Sequence, residues 1–272
     1  VIRMTQPLQI AVCGSIVPDP LQTLEPVVGP NGPALKNELM LPAVLDPWAA
    51  HALYEAANLC KKVEGSKVYL VSLGPKAKVQ QLMMSVAQKV PFELVAVDGP
   101  AGGFVDAAGV AEALTGAIEG IADLDRSRLL LFGGWESASR GAGVTIQMIA
   151  ERLGLRDLFL AVDELKVEED GSFEVMERIE GGRYQVSKCA GAPAAFGWAT
   201  GNLPEPPNNP QVGMMNMRGI MPALQKARQV SIGFDGLEYK SVELPQQRRE
   251  TRIVKDTPAE EIARELSEWI RG

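Results

Sequence analysis

Leu131-Phe132-Gly133-Gly134-Trp135-Glu136-Ser137-Ala138-Ser139-Arg140-Gly141-Ala142-Gly143-Val144-Thr145 is the stretch on which the reading of the fold turns. An apolar strand runs into a loop carrying glycine and serine, and a helical pattern then starts near Gly143 and covers residues 144–153. The same order repeats upstream. Residues 8–13, 67–73, 92–97 and 128–132 are short, β-branched or leucine-rich, and end in glycine or an acidic turn. Between the first two, Asp46 reads as an N-cap and Pro47 as the first helical residue, with Trp48, Ala52, Leu53, Ala56 and Cys60 following at helical spacing. Residues 105–122 read as a further helix. This alternation predicts an α/β fold, a mostly parallel, Rossmann-like sheet with helices on both faces and right-handed crossovers. Ligands of such sheets bind outside the carboxyl ends of the strands.

Beyond residue 155 the pattern changes. Residues 164–168, 173–179 and 184–188 alternate apolar and polar side chains, with turns at Asp170-Gly171 and Gly181-Gly182, and predict a β-hairpin region added to the sheet. Residues 200–219 hold four prolines, four asparagines and three glycines, which predicts a long loop rather than a packed element. The last forty residues read as an arm ending in a helix. Thr257-Pro258-Ala259-Glu260 has the form of a capping box, and Ile262, Leu266, Trp269 and Ile270 make one apolar stripe behind it. Two uses of that stripe stand side by side: gripping a partner chain, or packing back on its own domain. The expected organisation is one nucleotide-binding α/β domain over residues 1–230 and a C-terminal arm over residues 231–272.

Composition removes whole classes of function. The 272 residues carry 27 Lys and Arg against 34 Asp and Glu, a net charge of −7, which argues against binding nucleic acid through its phosphates. No uncharged apolar run approaches the ~18 residues of a spanning helix. The polar start, Val1-Ile2-Arg3-Met4-Thr5-Gln6, is unlike a signal peptide, with Met4 a candidate first residue, so the expectation is a cytoplasmic protein that is not membrane-embedded. Cys13, Cys60 and Cys189 are far apart and form neither a disulfide framework nor a zinc knuckle. A single histidine, His51, sits in a helical pattern, so sites needing two imidazoles are excluded and a Ser-His-Asp triad would rest on it alone. No catalytic residue and no metal ligand is expected.

The quoted stretch itself carries chemistry. Unpaired backbone N–H groups at a helix start, with the positive end of its dipole, suit a phosphate. Glycines let the backbone approach a ligand, Ser137, Ser139 and Thr145 offer hydroxyls, and Arg140 a fixed positive charge. The spacing is neither a P-loop nor GxGxxG. A plain strand-to-helix connection explains the same residues equally well.

Four segments, in order, resemble the β subunit of electron-transfer flavoproteins. Val12-Cys13-Gly14-Ser15-Ile16-Val17-Pro18-Asp19 is similar to the family's first strand running into Val-Pro-Asp. Asp46-Pro47-Trp48-Ala49 with Ala52-Leu53-Tyr54-Glu55-Ala56 resembles its Asn-Pro-Phe segment and the helix that follows. Val71-Ser72-Leu73-Gly74-Pro75 resembles the second strand and its Gly-Pro turn. Val175-Met176-Glu177-Arg178-Ile179-Glu180-Gly181-Gly182, with Ala192-Pro193-Ala194 beyond, resembles the family's hairpin signature and the strand after it.

The resemblance implies a heterodimer in which a larger α subunit holds the redox-active FAD while this chain holds AMP and helps to form the flavin site. Electrons would come from acyl-CoA dehydrogenase-type donors and leave to a quinone-linked oxidoreductase at the membrane. It places cofactor contacts at Cys13, Asp46, Pro47, Trp48, Ala49, Leu73, Gly134, Ser137, Ser139, Arg140, Gly141, Gly143, Val144 and Thr145, with Trp48 as the aromatic residue facing the flavin. It also implies a docking loop at about residues 200–221, with Met214, Met215 and Met217 as the apolar anchor; filling gaps beneath the loop is the competing use of those side chains.

The chain departs from the family pattern in three places. Where the family carries Asp residues and Gln before Thr or Val, it has Ser139-Arg140-Gly141-Ala142-Gly143-Val144, and Thr145 alone matches. Glu177-Arg178 inverts the usual order, and the proline-rich segment is longer. An electron-bifurcating variant would hold a second FAD here and oxidise NADH; Phe104-Val105-Asp106-Ala107 keeps that branch's Asp and lacks its Thr. The remaining alternative is a stand-alone adenine-nucleotide-binding α/β protein.

Overall fold

The computed structural model describes residues 7–271 apart from 31, 101–103, 234–238, 245 and 247–249. It divides into two compact units, Val1–Val242 and Glu243–Gly272. In chain order the first contains β1 (Gln9–Cys13), β2 (Ile16–Pro18), β3 (Pro26–Gly29), β4 (Gly32–Leu35), β5 (Ala43–Leu45), α1 (Pro47–Lys62) and β6 (Lys67–Gly74). Then follow α2 (Lys76–Val86), β7 (Glu93–Asp98), α3 (Ala107–Glu119), β8 (Leu129–Gly134), α4 (Thr145–Arg152) and β9 (Leu158–Val167). The unit ends with β10 (Phe173–Ile179), β11 (Arg183–Cys189), β12 (Ala194–Trp198), α5 (Pro210–Gln225) and β13 (Arg228–Gln229).

Among the described residues nine strands form one sheet in the order β11-β10-β9-β12-β8-β1-β6-β7-β13. The run from β9 to β13 is parallel throughout, and β9, β10 and β11 pair antiparallel, so the expected Rossmann-like sheet with an added hairpin region is the fold observed. Strand alternation explains why both faces are covered. Ile10, Val12, Leu130 and Phe132 enter one apolar cluster with Leu53 of α1, Met83 of α2 and Leu224 of α5. Their neighbours Ala11, Cys13, Leu129 and Leu131 enter the other, with Leu114 of α3 and Ile149 of α4. A period of two, buried on both sides, is what a central parallel strand requires.

Three regions differ from or go beyond the sequence reading. Two small antiparallel pairs, β2–β5 and β3–β4, fill the stretch between β1 and α1. Helix α4 begins at Thr145 and α3 at Ala107, the latter capped by the Asp106 carboxylate, which accepts from the Gly109 N–H at 3.1 Å. The largest correction concerns residues 200–219. The docking loop expected there gives way at Asn209 to the sixteen-residue α5. Asn209 caps the helix, its Oδ1 accepting from the N–H groups of Gln211 and Val212, and Pro210 takes the first helical position. Gly213, Asn216, Ile220 and Leu224 then make a buried stripe. The prolines and asparagines are the punctuation of a helix start as much as of a loop.

In the second unit, α6 (Ala259–Arg271) carries the apolar stripe, and Arg252 forms an ion pair with Glu265. The Thr257 hydroxyl donates to the Lys255 carbonyl at 3.4 Å.

Candidate functional site

Strands β1 and β8 lie side by side with Cys13 opposite Gly133, so their carboxyl ends open at one place on the sheet edge. Here β8 runs into residues 135–144, α1 starts at Pro47, and α4 starts at Thr145. A cavity of about 40 Å3 lies between them, lined by Cys13, Asp46, Ala49, Gly134, Ser137, Arg140, Gly143, Val144 and Thr145 among the residues anticipated from sequence. A second cavity of about 20 Å3 is lined by Leu73, Ser139 and Arg140. Pro47, Trp48 and Gly141 line neither. Pro47 and Trp48 build the first turn of α1, and Gly141 turns the loop with φ 60°.

Asp46 organises the crevice. Only 2% exposed, it caps α1 by accepting from the Trp48 N–H at 3.1 Å and ties down the 135–144 connection by accepting from the Ala138 N–H at 2.8 Å. Burial pushes its carboxyl above the ordinary value, the backbone donors pull it back, and the nearby Glu136 charge pushes it up again. One loop donor is therefore spent on protein. The glycine at 134 has a packing reason of its own: a Cβ there would sit 2.6 Å from the Glu136 carbonyl oxygen and 2.7 Å from the Trp48 Cβ. That close approach locks the loop to the start of α1.

Arg140 fills the remaining space. Its guanidinium donates to the Val105 carbonyl at 3.2 Å and to the Thr145 hydroxyl at 3.3 Å, while its backbone N–H donates to the Ser137 hydroxyl at 3.1 Å. Its Nε is buried without a partner among the described residues. Burial lowers the guanidinium pKa from its ordinary value, against the opposing pull of Asp106, Tyr239 and Asp46. Helix α4 starts without a side-chain cap, which leaves first-turn N–H groups for another acceptor. The donors present (uncapped helix start, hydroxyls, guanidinium) suit a phosphate. The space, as it stands, suits only a body of about the size of a water molecule.

A family model described as the electron transfer flavoprotein domain matches residues 37–230, more than half of the chain. The chain belongs to that family. No curated protein matches it. The matched span runs from before α1 through β13 and includes Asp46 and the whole 135–145 connection; Cys13 precedes it.

In this family member the Cys13 thiol is buried and pushed up to about 12, so it stays protonated at neutral pH and contributes through packing. His51 lines neither cavity and packs edge-on to Tyr54, with ring centroids 6.3 Å apart. Ser15, Leu114 and Ile146 line the larger cavity although none of them was among the expected contacts. Ser15 could have been found as the residue just past a strand end; the other two read as ordinary helix core. Among the described residues no cluster of His, Cys, Asp or Glu could hold a metal ion, and no helix is long and apolar enough to cross a membrane.

The three docking methionines diverge on α5. Met214 is 65% exposed and lines a groove of about 610 Å3 with Met84 of α2. Met215, 52% exposed, faces another groove, beside Phe92 and, on β7, Leu94. Met217 packs partly buried against the core and lines the same groove as Met214. Residues three apart on a helix share a face and adjacent ones do not, so Met214 and Met217 pair on one groove while Met215 stands apart. Glu177 and Arg178 are both committed within the chain. Arg178 grips the buried Asp163 with Nε and a terminal nitrogen, each at 3.0 Å, and Glu177 accepts from the Leu160 N–H at 3.1 Å.

Proposed function

We propose that the chain is the β subunit of a heterodimeric electron-transfer flavoprotein, a carrier component rather than an enzyme. Its crevice holds an adenine nucleotide, AMP, and its surface helps to form the FAD site of a larger α subunit. The flavin supplies the one- and two-electron chemistry when bound. Acyl-CoA dehydrogenase-type proteins are the donors and a quinone-linked oxidoreductase is the acceptor. Exposed Met214 on α5 is the part of the expected anchor suited to donor docking, since a flexible, polarizable side chain adapts to several partners.

The observation that carries this reading is the convergence, within the matched span, of the uncapped start of α4, the hydroxyls of Ser137 and Thr145, and Arg140 at the carboxyl end of β8. Open α/β sheets bind nucleotides at that end. Ser137 and Thr145 would orient a phosphate, Asp46 would hold the loop to α1, and Ala49 and Val144 would exclude water from the crevice floor.

Copurification of the chain with its partner, followed by release and counting of flavin and AMP, tests the reading. One FAD and one AMP per heterodimer are expected. Two FAD, with NADH oxidation, would establish the bifurcating arrangement instead; a chain that purifies alone without flavin or partner would overturn the carrier assignment.

A further inference from the structure

Ser15 and Arg140 line both cavities at the strand ends. The crevice is thus one space cut in two, and the long side chain lying across it is Arg140. Neither part approaches the roughly 300 Å3 or more of a pocket for a small organic ligand. The partition is built from contacts within the chain: the guanidinium bridges the Val105 carbonyl, just ahead of α3, and the Thr145 hydroxyl at the start of α4. Both acceptors are neutral. The Nε–H between them has none, so the group is held by fewer and weaker bonds than a planar five-donor fork can make.

The charges around it point the same way. Asp46 and Glu136 line the larger cavity, the Asp106 charge acts on Arg140 from the start of α3, and Arg140 is the cation among the lining residues. A phosphate approaching without that guanidinium would meet carboxylates. With it, the phosphate would supply strong acceptors for the terminal nitrogens and for Nε, and release the Val105 and Thr145 oxygens.

We propose that Arg140 selects what enters this crevice: its side chain is a wall between two small cavities, and a nucleoside phosphate draws that wall aside where the corresponding nucleoside cannot. This rests on the reading of the crevice as a nucleotide site and adds the residue that makes the site phosphate-dependent. Opening breaks two hydrogen bonds to neutral oxygens and forms charge-assisted ones, so the phosphate gains over the nucleoside by the difference. Discrimination of about ten- to hundred-fold follows from the usual strength of hydrogen bonds between charged groups.

The test is calorimetric titration of the full-length chain, in the complex it forms, with AMP and separately with adenosine. In the unmodified protein AMP is expected to bind about ten- to hundred-fold more tightly than adenosine. R140A removes both wall and charge: adenosine should gain affinity, AMP should lose it, and the ratio should fall below about three. R140M keeps the bulk without the charge, preserves the packing if R140A fails to fold, and should weaken both ligands. Equal binding of AMP and adenosine by the unmodified protein would overturn the proposal. So would an R140A ratio as large as the original, or R140M binding AMP as tightly as arginine does. In those cases AMP still binds and the nucleotide reading stands. If no form binds either ligand while a melting curve shows it folded, the nucleotide site itself is wrong and the wall has nothing to select.

Discussion

Two segments that read as turns, one through glycine and serine and the other through proline, asparagine and glycine, have opposite outcomes in this molecule. Residues 135–144 stay a loop, while the stretch entered from residue 200 becomes a loop only as far as Asn209 and then the packed helix α5. The first has no apolar stripe to bury, because Trp135 and Val144 stand at its two ends with only Glu, Ser, Ala, Arg and Gly between them. It is fixed instead by single contacts, the Asp46 carboxylate to the Ala138 N–H and Gly134 against Trp48. The second has a buried stripe with the Asn216 amide at its centre. That amide donates to the carbonyls of Ala87 and Val90, both at 2.8 Å, and accepts from the Phe92 N–H at 3.2 Å. Turn-forming residues set where a helix begins; the apolar period behind them sets whether it continues.

The sharpest test of this contrast is Asn216→Ala. It leaves two buried carbonyls and one N–H without partners and should cost about 3 kcal/mol of stability, read as a drop in denaturation midpoint. A loss below about 1 kcal/mol would mean that α5 is held by its apolar stripe alone. Next, Gly134→Ala forces a methyl group against the Glu136 carbonyl and Trp48, at an expected cost of about 1–3 kcal/mol. Hydrogen exchange should then speed up at residues 135–144 and at the start of α1 but not in α5. Exchange rising equally in both would show that the two regions are not independently fixed.

On α5 itself, Met217→Ala should cost about 1–2 kcal/mol through lost core packing, and the same change at the exposed Met214 should stay within about 0.5 kcal/mol. Donor-dependent turnover should respond in the reverse order. A stability loss at Met214 with unchanged turnover would remove it from any docking surface.

Asp46→Asn gives a slope rather than an offset. The folded-state carboxyl is raised by burial, so the folded chain holds this proton more firmly than the unfolded one, and the associated stability is lost as pH rises from the ordinary carboxylate range through the raised value. The melting temperature of Asp46→Asn relative to the unmodified chain should therefore increase as pH climbs through the acidic range towards neutrality. A constant difference would show that the hydrogen bonds offset the burial, and a difference that falls with pH that they outweigh it.

The β–α alternation was legible because buried parallel strands impose a continuous apolar run and their helices a separate period, as in residues 92–97 followed by α3. The candidate site was legible as a set of types at a strand end, Ser137, Arg140 and Thr145 above all, since the carboxyl edge of a parallel sheet follows from chain direction. What these side chains do to one another was not. Sequence offered Arg140 as a free cation for a ligand, whereas the fold gives its two terminal nitrogens to Val105 and Thr145. Its neighbour Val105 is thirty-five residues away in the chain, and no local pattern marks that meeting.

By itself, then, the order of residues determined the sheet, its two covered faces, the hairpin extension and the edge where a ligand would sit, because those depend on periodicity and direction within short windows. Tertiary structure alone decided that Asn209 opens a helix rather than continuing a loop, that Met217 turns inward while Met214 stays exposed, and that Arg140 divides the crevice. Each of these outcomes depends on which surface arrives opposite a side chain, and that surface belongs to a distant part of the sequence.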